Sequence, residues 1–403
     1  MRCCLLSIRA YSILSAAKGQ QRARASLGGL VYRQESMRIR RSFVSLLRIP
    51  LWLFFQSCKE NPTDVDTFGP EALNDGWPVS TAEEQGLDRQ ILSEGYSAAA
   101  KLPYIYSLLA VRNGSLVSEQ YFNGNYRGRA NNVMSVSKSI LSGLVGIALN
   151  ERFLDSLDRR MLDFFPEYVS PLLEGRKYNI TIRHLLMMRA GFDSERQIYF
   201  QIRSSANWIE STIELPLVFN PGERMVYNTF ETHLLAAILA KSSQMTAFEF
   251  ARTYLCGPLG ITLQFWETDP QGYYFGGNSI GFKPRDLARY GDLYLRGGLI
   301  NGRQIIPGKW IDESLTNFTN WQNLTWGDVA DYNYGYLWWL GKISGYRVFF
   351  ALGHGGQLIM NVPDLNMIIV ATADPNFDWD IADEHERAIL HIIAQYVVGA
   401  VRH

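Results

Sequence analysis

Apolar positions divide the chain into strand-like and helix-like stretches. After residue 80, Thr81-Ala82-Glu83-Glu84 reads as the capped entry to a helix running to about residue 100. Two strand-like runs follow, 107–112 and 115–122, separated by Asn113-Gly114, and such runs joined by Asn-Gly predict a β-hairpin. An apolar run through Ile140, Leu144, Val145 and Ala148 predicts the next helix. Residues 155–225 carry helical and loop patterns, and further helices are expected at 232–242, 245–255, 284–296 and 307–316. Segments 334–339, 346–351 and 356–373 read as successive strands with turns at Gly345 and Pro363-Asp364. A last amphipathic helix is expected over about 383–398, and the chain shows no internal repeat. A hairpin, a mostly helical middle and strands at the end imply an α+β architecture. One antiparallel sheet is assembled from both chain ends, with helices inserted between.

Composition adds bounds. With 403 residues, 47% hydrophobic and 13% aromatic, the chain can bury a large core. A formal net charge of zero gives no sign of a nucleic-acid partner. The balance is uneven, however: residues 1–58 carry ten Lys/Arg and a single acid, Glu35. Of the four cysteines, Cys3, Cys4 and Cys58 lie in this basic leader, which argues against a disulfide framework. Cys256 reads as a packed core thiol.

From Met37 the leader shows a basic start, a short apolar run interrupted by Arg48, and Ser57 before Cys58. Residues 37–57 resemble a bacterial lipoprotein signal peptide, which implies export to the cell envelope and membrane attachment through a lipid on Cys58. Residues 1–36 then read as an upstream mis-start of translation. A second reading takes the whole Arg- and Ser-rich leader as an organellar transit peptide. Residues 59–80 form a polar linker, and 81–403 the functional domain.

The chemistry centres on Met134-Ser135-Val136-Ser137-Lys138, at the start of the predicted helix. Three residues along a helix bring Ser135 and Lys138 onto one face. A serine at a helix N-terminus is surrounded by unpaired N–H groups that favour developing negative charge. The bland alternative is a capping serine followed by a solvated lysine. Two further motifs weigh against it. Tyr227-Asn228-Thr229 follows Pro221-Gly222-Glu223-Arg224, and Gly353-His354-Gly355-Gly356-Gln357 opens an apolar strand from Leu358. A serine hydroxyl needs a base within reach. Lys138, buried beside Ser135, has its amine pKa lowered by desolvation, and Tyr227, near a lysine ammonium, is expected to have its phenol pKa lowered too.

In order and setting the three motifs resemble the serine β-lactamase superfamily. The nearest branch is that of class C-like β-lactamases, D-Ala-D-Ala peptidases and their esterase relatives. Thr181-Ile182-Arg183-His184-Leu185-Leu186 and Lys283-Pro284-Arg285-Asp286-Leu287 support the likeness, which covers about residues 80–400. It implies a β-lactamase/DD-peptidase-like fold, an antiparallel sheet flanked by helices with a mostly helical subdomain at about 155–225. It also implies an acyl-enzyme on Ser135, with Tyr227 as general base and acid and Lys138 as its electrostatic partner. The backbone N–H groups of Ser135 and Gln357 are implied as the oxyanion hole, worth about 3 kcal/mol per donor. Thr229, His354, Gly355 and Gly356 are implied in substrate binding, the glycine pair letting substrate lie close to the strand. No metal or cofactor is implied.

Departures narrow the substrate. β-Lactamases of this class carry Tyr-x-Asn and Lys-Thr-Gly, where this chain has Thr229 and His354-Gly355-Gly356. A histidine largely neutral at pH 7 weakens carboxylate recognition. The expected substrate is therefore a small ester, amide or D-amino-acid peptide rather than a β-lactam. The rival reading is a non-catalytic domain that binds or senses cell-wall peptides, against which intact Ser135, Lys138 and Tyr227 argue. Gly277-Asn278-Ser279-Ile280-Gly281 imitates the nucleophile pattern of α/β-hydrolases but lacks the strand before and helix after it. His385, Glu386 and His391 miss the spacing of a zinc site. Asp286 reads as helix capping, and the cluster Tyr332, Tyr334, Tyr336, Trp338 and Trp339 as core packing that partly lines a cleft.

Overall fold

Asn113 and Gly114 both take positive φ (51° and 80°), the turn geometry that matches strand twist, and close the hairpin of β1 (Ile105–Arg112) and β2 (Ser115–Tyr121). The computed structural model describes residues 68–319 and 321–402. The leader, its signal-like segment 37–57, Cys58 and the first part of the linker lie outside the described residues. The helix expected from Thr81 begins later. Residues 82–86 form turns, and α1 (Arg89–Ala99) starts where the Asp88 carboxylate accepts the N–H groups of Gln90 and Ile91.

Helix α2 (Val136–Asn150) follows the short β3 (Asn131–Asn132), which pairs with β4 (Gly281–Phe282). The middle of the chain is largely helical. It holds α3 (Ile182–Leu186), α4 (Glu195–Arg203), α5 (Trp208–Glu214) and α6 (Thr229–Ser243), then α7 (Ala247–Ala251), which widens into a π-turn at Arg252–Cys256. After α8 (Pro284–Leu295), the small hairpin β5 (Leu299–Ile300) and β6 (Arg303–Gln304), and α9 (Gly308–Ser314), five strands complete the sheet. These are β7 (Val329–Tyr334), β8 (Trp339–Ile343), β9 (Tyr346–Gly353), β10 (Gln357–Val362) and β11 (Met367–Ala373), before α10 (Trp379–Ile392). The expected strand at 334–339 is in fact a tight bend between β7 and β8. Leu337 takes φ 61°, and a side chain on Gly335 would strike the Ser314 carbonyl at 2.2 Å.

The seven-stranded sheet runs β2-β1-β11-β10-β9-β8-β7, so the N-terminal hairpin joins the C-terminal strands as expected. Every pairing in it is antiparallel. Alternate residues feed two cores. Leu109, Val111, Ile359 and Val370 meet the α2, α6 and α8 side, whereas Leu108, Ala110, Leu358 and Met360 meet α1 and α10. Both faces are covered, which explains why β10 and β11 are each largely apolar rather than alternating with polar residues. Helix α2 lies inside the larger core, buried from Val136 to Ala148 without a break, as an apolar circumference requires. Cys256 is a buried free thiol. Asp286 does not cap α8 but sits in its first turn, 3.1 Å from Arg289.

Candidate active site

Ser135 stands at the N-cap of α2, directly after Met134, whose φ of 48° turns the chain sharply into the helix. The Asn132 side chain holds that turn by accepting the Met134 N–H at 3.0 Å. One helical turn on, Lys138 is 1% exposed and its Nζ makes three contacts: Ser135 Oγ at 2.8 Å, Thr229 Oγ1 at 2.8 Å and the Gly277 carbonyl at 2.9 Å. Burial brings the amine down to about 8, against an opposing pull from the Glu195 carboxylate. This direction agrees with the sequence expectation.

Tyr227 departs from it. Its ring is stacked on Trp339 with centroids 5.6 Å apart, edge-on to Tyr334, and Lys138 Nζ lies over its face, 4.8 Å from the centroid. Nζ is spent on Ser135, Thr229 and Gly277, so its charge is not delivered to the phenol oxygen. Burial and the Glu195 charge therefore push the phenol well above its ordinary value, while its hydrogen bond with Ser135 opposes them. Tyr227 is a neutral phenol, not a phenolate.

Thr229 opens α6 after Asn228, whose side chain caps the helix at the Phe230 N–H and donates to the Asp193 carbonyl, both at 2.8 Å. His354 lies in the turn between β9 and β10, where its Nε2–H donates to the Phe377 carbonyl at 2.7 Å and its ring meets Trp379 edge-on. Gly355 and Gly356 take φ of 81° and 107°, and added side chains would strike the Asp374 carbonyl at 2.6 Å and Ile389 at 2.3 Å. The pair therefore leaves no room for side chains in this turn. The glycine that faces Ser135 is Gly353, where a Cβ would come within 2.5 Å of the Val133 carbonyl and 3.1 Å of the Ser135 nitrogen. Gln357 is fully buried, its side chain pairing with the Ala373 backbone.

A cleft of about 270 Å³ opens over Ser135, Tyr227 and His354. Against this geometry the comparisons with known proteins are specific. The family described as Beta-lactamase matches residues 106–391, more than half of the chain. The chain belongs to the β-lactamase family. A relative, the 6-aminohexanoate-dimer hydrolase of Paenarthrobacter ureafaciens, is 22% identical over 68% of this chain and 73% of its own. Among solved structures, EstCE1, a hydrolase with promiscuous acyltransferase activity, superposes with a TM-score of 0.62 at 14% identity, over 77% of this chain and 98% of its own. An octameric penicillin-binding protein homologue from Pyrococcus abyssi gives a TM-score of 0.56 at 18% identity, over 76% and 78%. Both structures share the fold.

Within this β-lactamase-family cleft, residues that sequence reasoning passed over form most of the walls. Helix α4 brings Ser194, Glu195 and Arg196, and α10 brings Trp379, Asp383 and Glu386. Of the aromatic cluster, Tyr332 and Trp339 line the cleft together with Trp326, while Tyr336 and Trp338 belong to the core. The His385-Glu386-His391 group, set aside as a metal site in the sequence, is divided between three surroundings. His385 stacks on Tyr104 at 3.4 Å and His391 pairs with Asp328, but Glu386 reaches the cleft. Burial first, and then Asp383, raise the Glu386 carboxyl to about 8, although it accepts the Gly355 N–H. The Gly-x-Ser-x-Gly imitation is a loop in which Ser279 takes φ 61°, and its useful atom is the Gly277 carbonyl that receives Lys138.

Proposed function

We propose that this β-lactamase-family protein hydrolyses a small ester or amide through an acyl-enzyme on Ser135, with Lys138 as the base and Tyr227 as the acid. The observation that carries the reading is the set of three contacts on Lys138 Nζ. A neutral amine has two N–H bonds and one lone pair. With the N–H bonds on Thr229 Oγ1 and the Gly277 carbonyl, the lone pair faces the Ser135 hydroxyl. Lys138 then takes the Ser135 proton as Oγ attacks the carbonyl carbon. The tetrahedral oxyanion forms at the start of α2, where backbone N–H groups favour negative charge. Tyr227, a neutral phenol hydrogen-bonded to Ser135, gives its proton to the leaving alcohol or amine. Water then releases the acyl group by the reverse sequence of proton transfers.

The cleft supports ester or amide over β-lactam. Its ring-bearing walls suit an apolar acyl or aryl group. His354, standing where β-lactamases of this class carry the lysine of Lys-Thr-Gly, spends its Nε2–H on the Phe377 carbonyl rather than on a substrate carboxylate. The relatives point the same way, one a 6-aminohexanoate-dimer hydrolase and the other a hydrolase with promiscuous acyltransferase activity.

Fluorophosphonate labelling and a panel of p-nitrophenyl esters, short amides and a chromogenic cephalosporin test the reading. The wild-type protein takes one label and turns over esters or amides faster than the cephalosporin, and Ser135→Ala does neither. Equal labelling of Ser135→Ala, or a preference for the cephalosporin, overturns it. Rates rise with pH through about 8, because the base works only as the neutral amine and that form is gained as pH passes the lowered Lys138 value.

A further inference from the structure

The hydrogen-bond chain at the nucleophile does not end at Lys138. Thr229 lies between two charged groups. Its Oγ1 receives Lys138 Nζ at 2.8 Å, and its backbone N–H donates to Glu195 Oε2 at 2.8 Å. Glu195 is 4% exposed. Its own N–H donates to the Tyr227 carbonyl at 3.3 Å, so α4 begins against the strand of chain that carries the phenol. Thr229 is the first residue of the 15-residue helix α6, and a carboxylate at that end meets both an unpaired N–H and the positive end of the helix dipole.

We propose that Glu195 is a positioning residue of the catalytic centre, holding Thr229, and through it the Lys138 amine, against Ser135. The idea rests on the acyl-enzyme reading above. Two effects follow from one carboxylate. Geometrically, Glu195 fixes the start of α6 and so the direction in which Thr229 presents its hydroxyl. Electrostatically, its charge favours the ammonium form of Lys138 and opposes the desolvation that favours the amine. Ser135 from its own helix, Thr229 from α6, the Gly277 carbonyl, the Tyr227 ring and the Glu195 charge surround Lys138. Around Glu195 stand Lys138, Tyr199 on its own helix, Tyr227, and Tyr334 from β7. The nearby cations of α4 are turned elsewhere, Arg196 to Asp383 and Arg203 to Glu267, both at 2.8 Å.

The test is the pH dependence, from 5 to 10, of fluorophosphonate labelling of Ser135 and of kcat/KM on a p-nitrophenyl ester. Labelling needs no natural substrate. In the wild type both rates rise with pH through about 8. Glu195→Gln keeps an acceptor for the Thr229 N–H but removes the charge. Its rise moves to lower pH by about one unit, as loss of a neighbouring opposite charge demands, and Glu195→Asp brings it back towards the wild-type position. A purely structural part would lower thermal stability and leave the rise in place, which overturns the proposal. So does a raised KM with the rise unmoved, which would make Glu195 a substrate contact. If Glu195→Gln does not fold, Thr229→Val keeps the N–H but cuts the link to Lys138. Its rise must also move down, and an unmoved rise again refutes the idea. A wild-type protein that takes no label overturns the acyl-enzyme reading and this proposal with it.

Discussion

The floor and the rim of the cleft are built on different principles. On the floor, Ser135, Lys138, Thr229 and the Gly277 carbonyl sit at two helix starts and a loop packed into the larger core, each polar atom meeting another at 2.8–2.9 Å. On the rim, α4 and α10 face each other with charges that are partly wet. Arg196 reaches Asp383 at 2.8 Å and Asp380 at 3.6 Å, and the Asp380 side chain is 97% exposed. The floor is fixed by burial, where an unmade hydrogen bond is costly. The rim is held by ion pairs that water and salt weaken. The difference teaches where chemistry and selectivity reside. The proposed acyl transfer needs the fixed floor whatever the substrate, while the solvent-exposed charges of the rim, unlike the buried Glu195, can change without disturbing it.

The strongest way to break this division is at Lys138. Lys138→Met preserves length and apolar bulk but removes the proposed base, so kcat/KM on a p-nitrophenyl ester is expected to fall by about 10³-fold. The rise in rate through pH about 8 disappears with it. A variant that kept a tenth of wild-type activity and the same pH profile would move the base elsewhere.

Glu386 sharpens the comparison, because it stands at the rim yet is only 7% exposed. Burial raises its carboxyl from 4.5 to about 8 in the folded protein. Between those values the unfolded chain releases this proton while the folded protein keeps it, so stability falls as pH rises across that window and levels off above about 8. Glu386→Gln removes the effect. Relative to wild type it gains a few kcal/mol between pH 5 and 8, read as the difference in urea midpoints. The same difference at both pH values would show that Glu386 is solvated.

Much of the floor was legible in the sequence because its constraints are local. Ser135 and Lys138 are three residues apart on one helix, and Asn113-Gly114 can scarcely be other than a hairpin. That the hairpin joins the C-terminal strands also followed from the order of elements. The tertiary contacts were not legible. The expectation of an acidified Tyr227 failed because nearness to Lys138 was judged from motif spacing, whereas the ammonium lies over the ring face and bonds to other oxygens. Gly277 was hidden inside a decoy motif, since a backbone carbonyl leaves no residue-type signal. Glu195 and Arg196 were invisible for a similar reason. A helix that merely starts with Glu-Arg reads as a solvated face until α10 and Thr229 are seen against it. Gly353 shows the limit most simply, because its lack of a side chain matters only once the Ser135 nitrogen is found 3.1 Å from where a Cβ would be.

Arg196 carries the smallest expected effect and the finest test of the division. Its guanidinium bridges α4 to α10 through Asp383 and Asp380 and lies 5.2 Å from the Trp379 ring centroid. Exposed pairs of this kind are worth about 0.2–1 kcal/mol, with a cation–π contact of similar size. Arg196→Ala should therefore lower stability by about 1 kcal/mol and raise KM a few-fold while kcat holds, the pattern of lost ground-state binding. Because the screening length at 1 M salt is about 3 Å, the difference in KM should shrink towards nothing as salt is added. If kcat fell instead, or if the effect ignored salt, Arg196 would be coupled to the floor, and the two halves of the cleft would act as one.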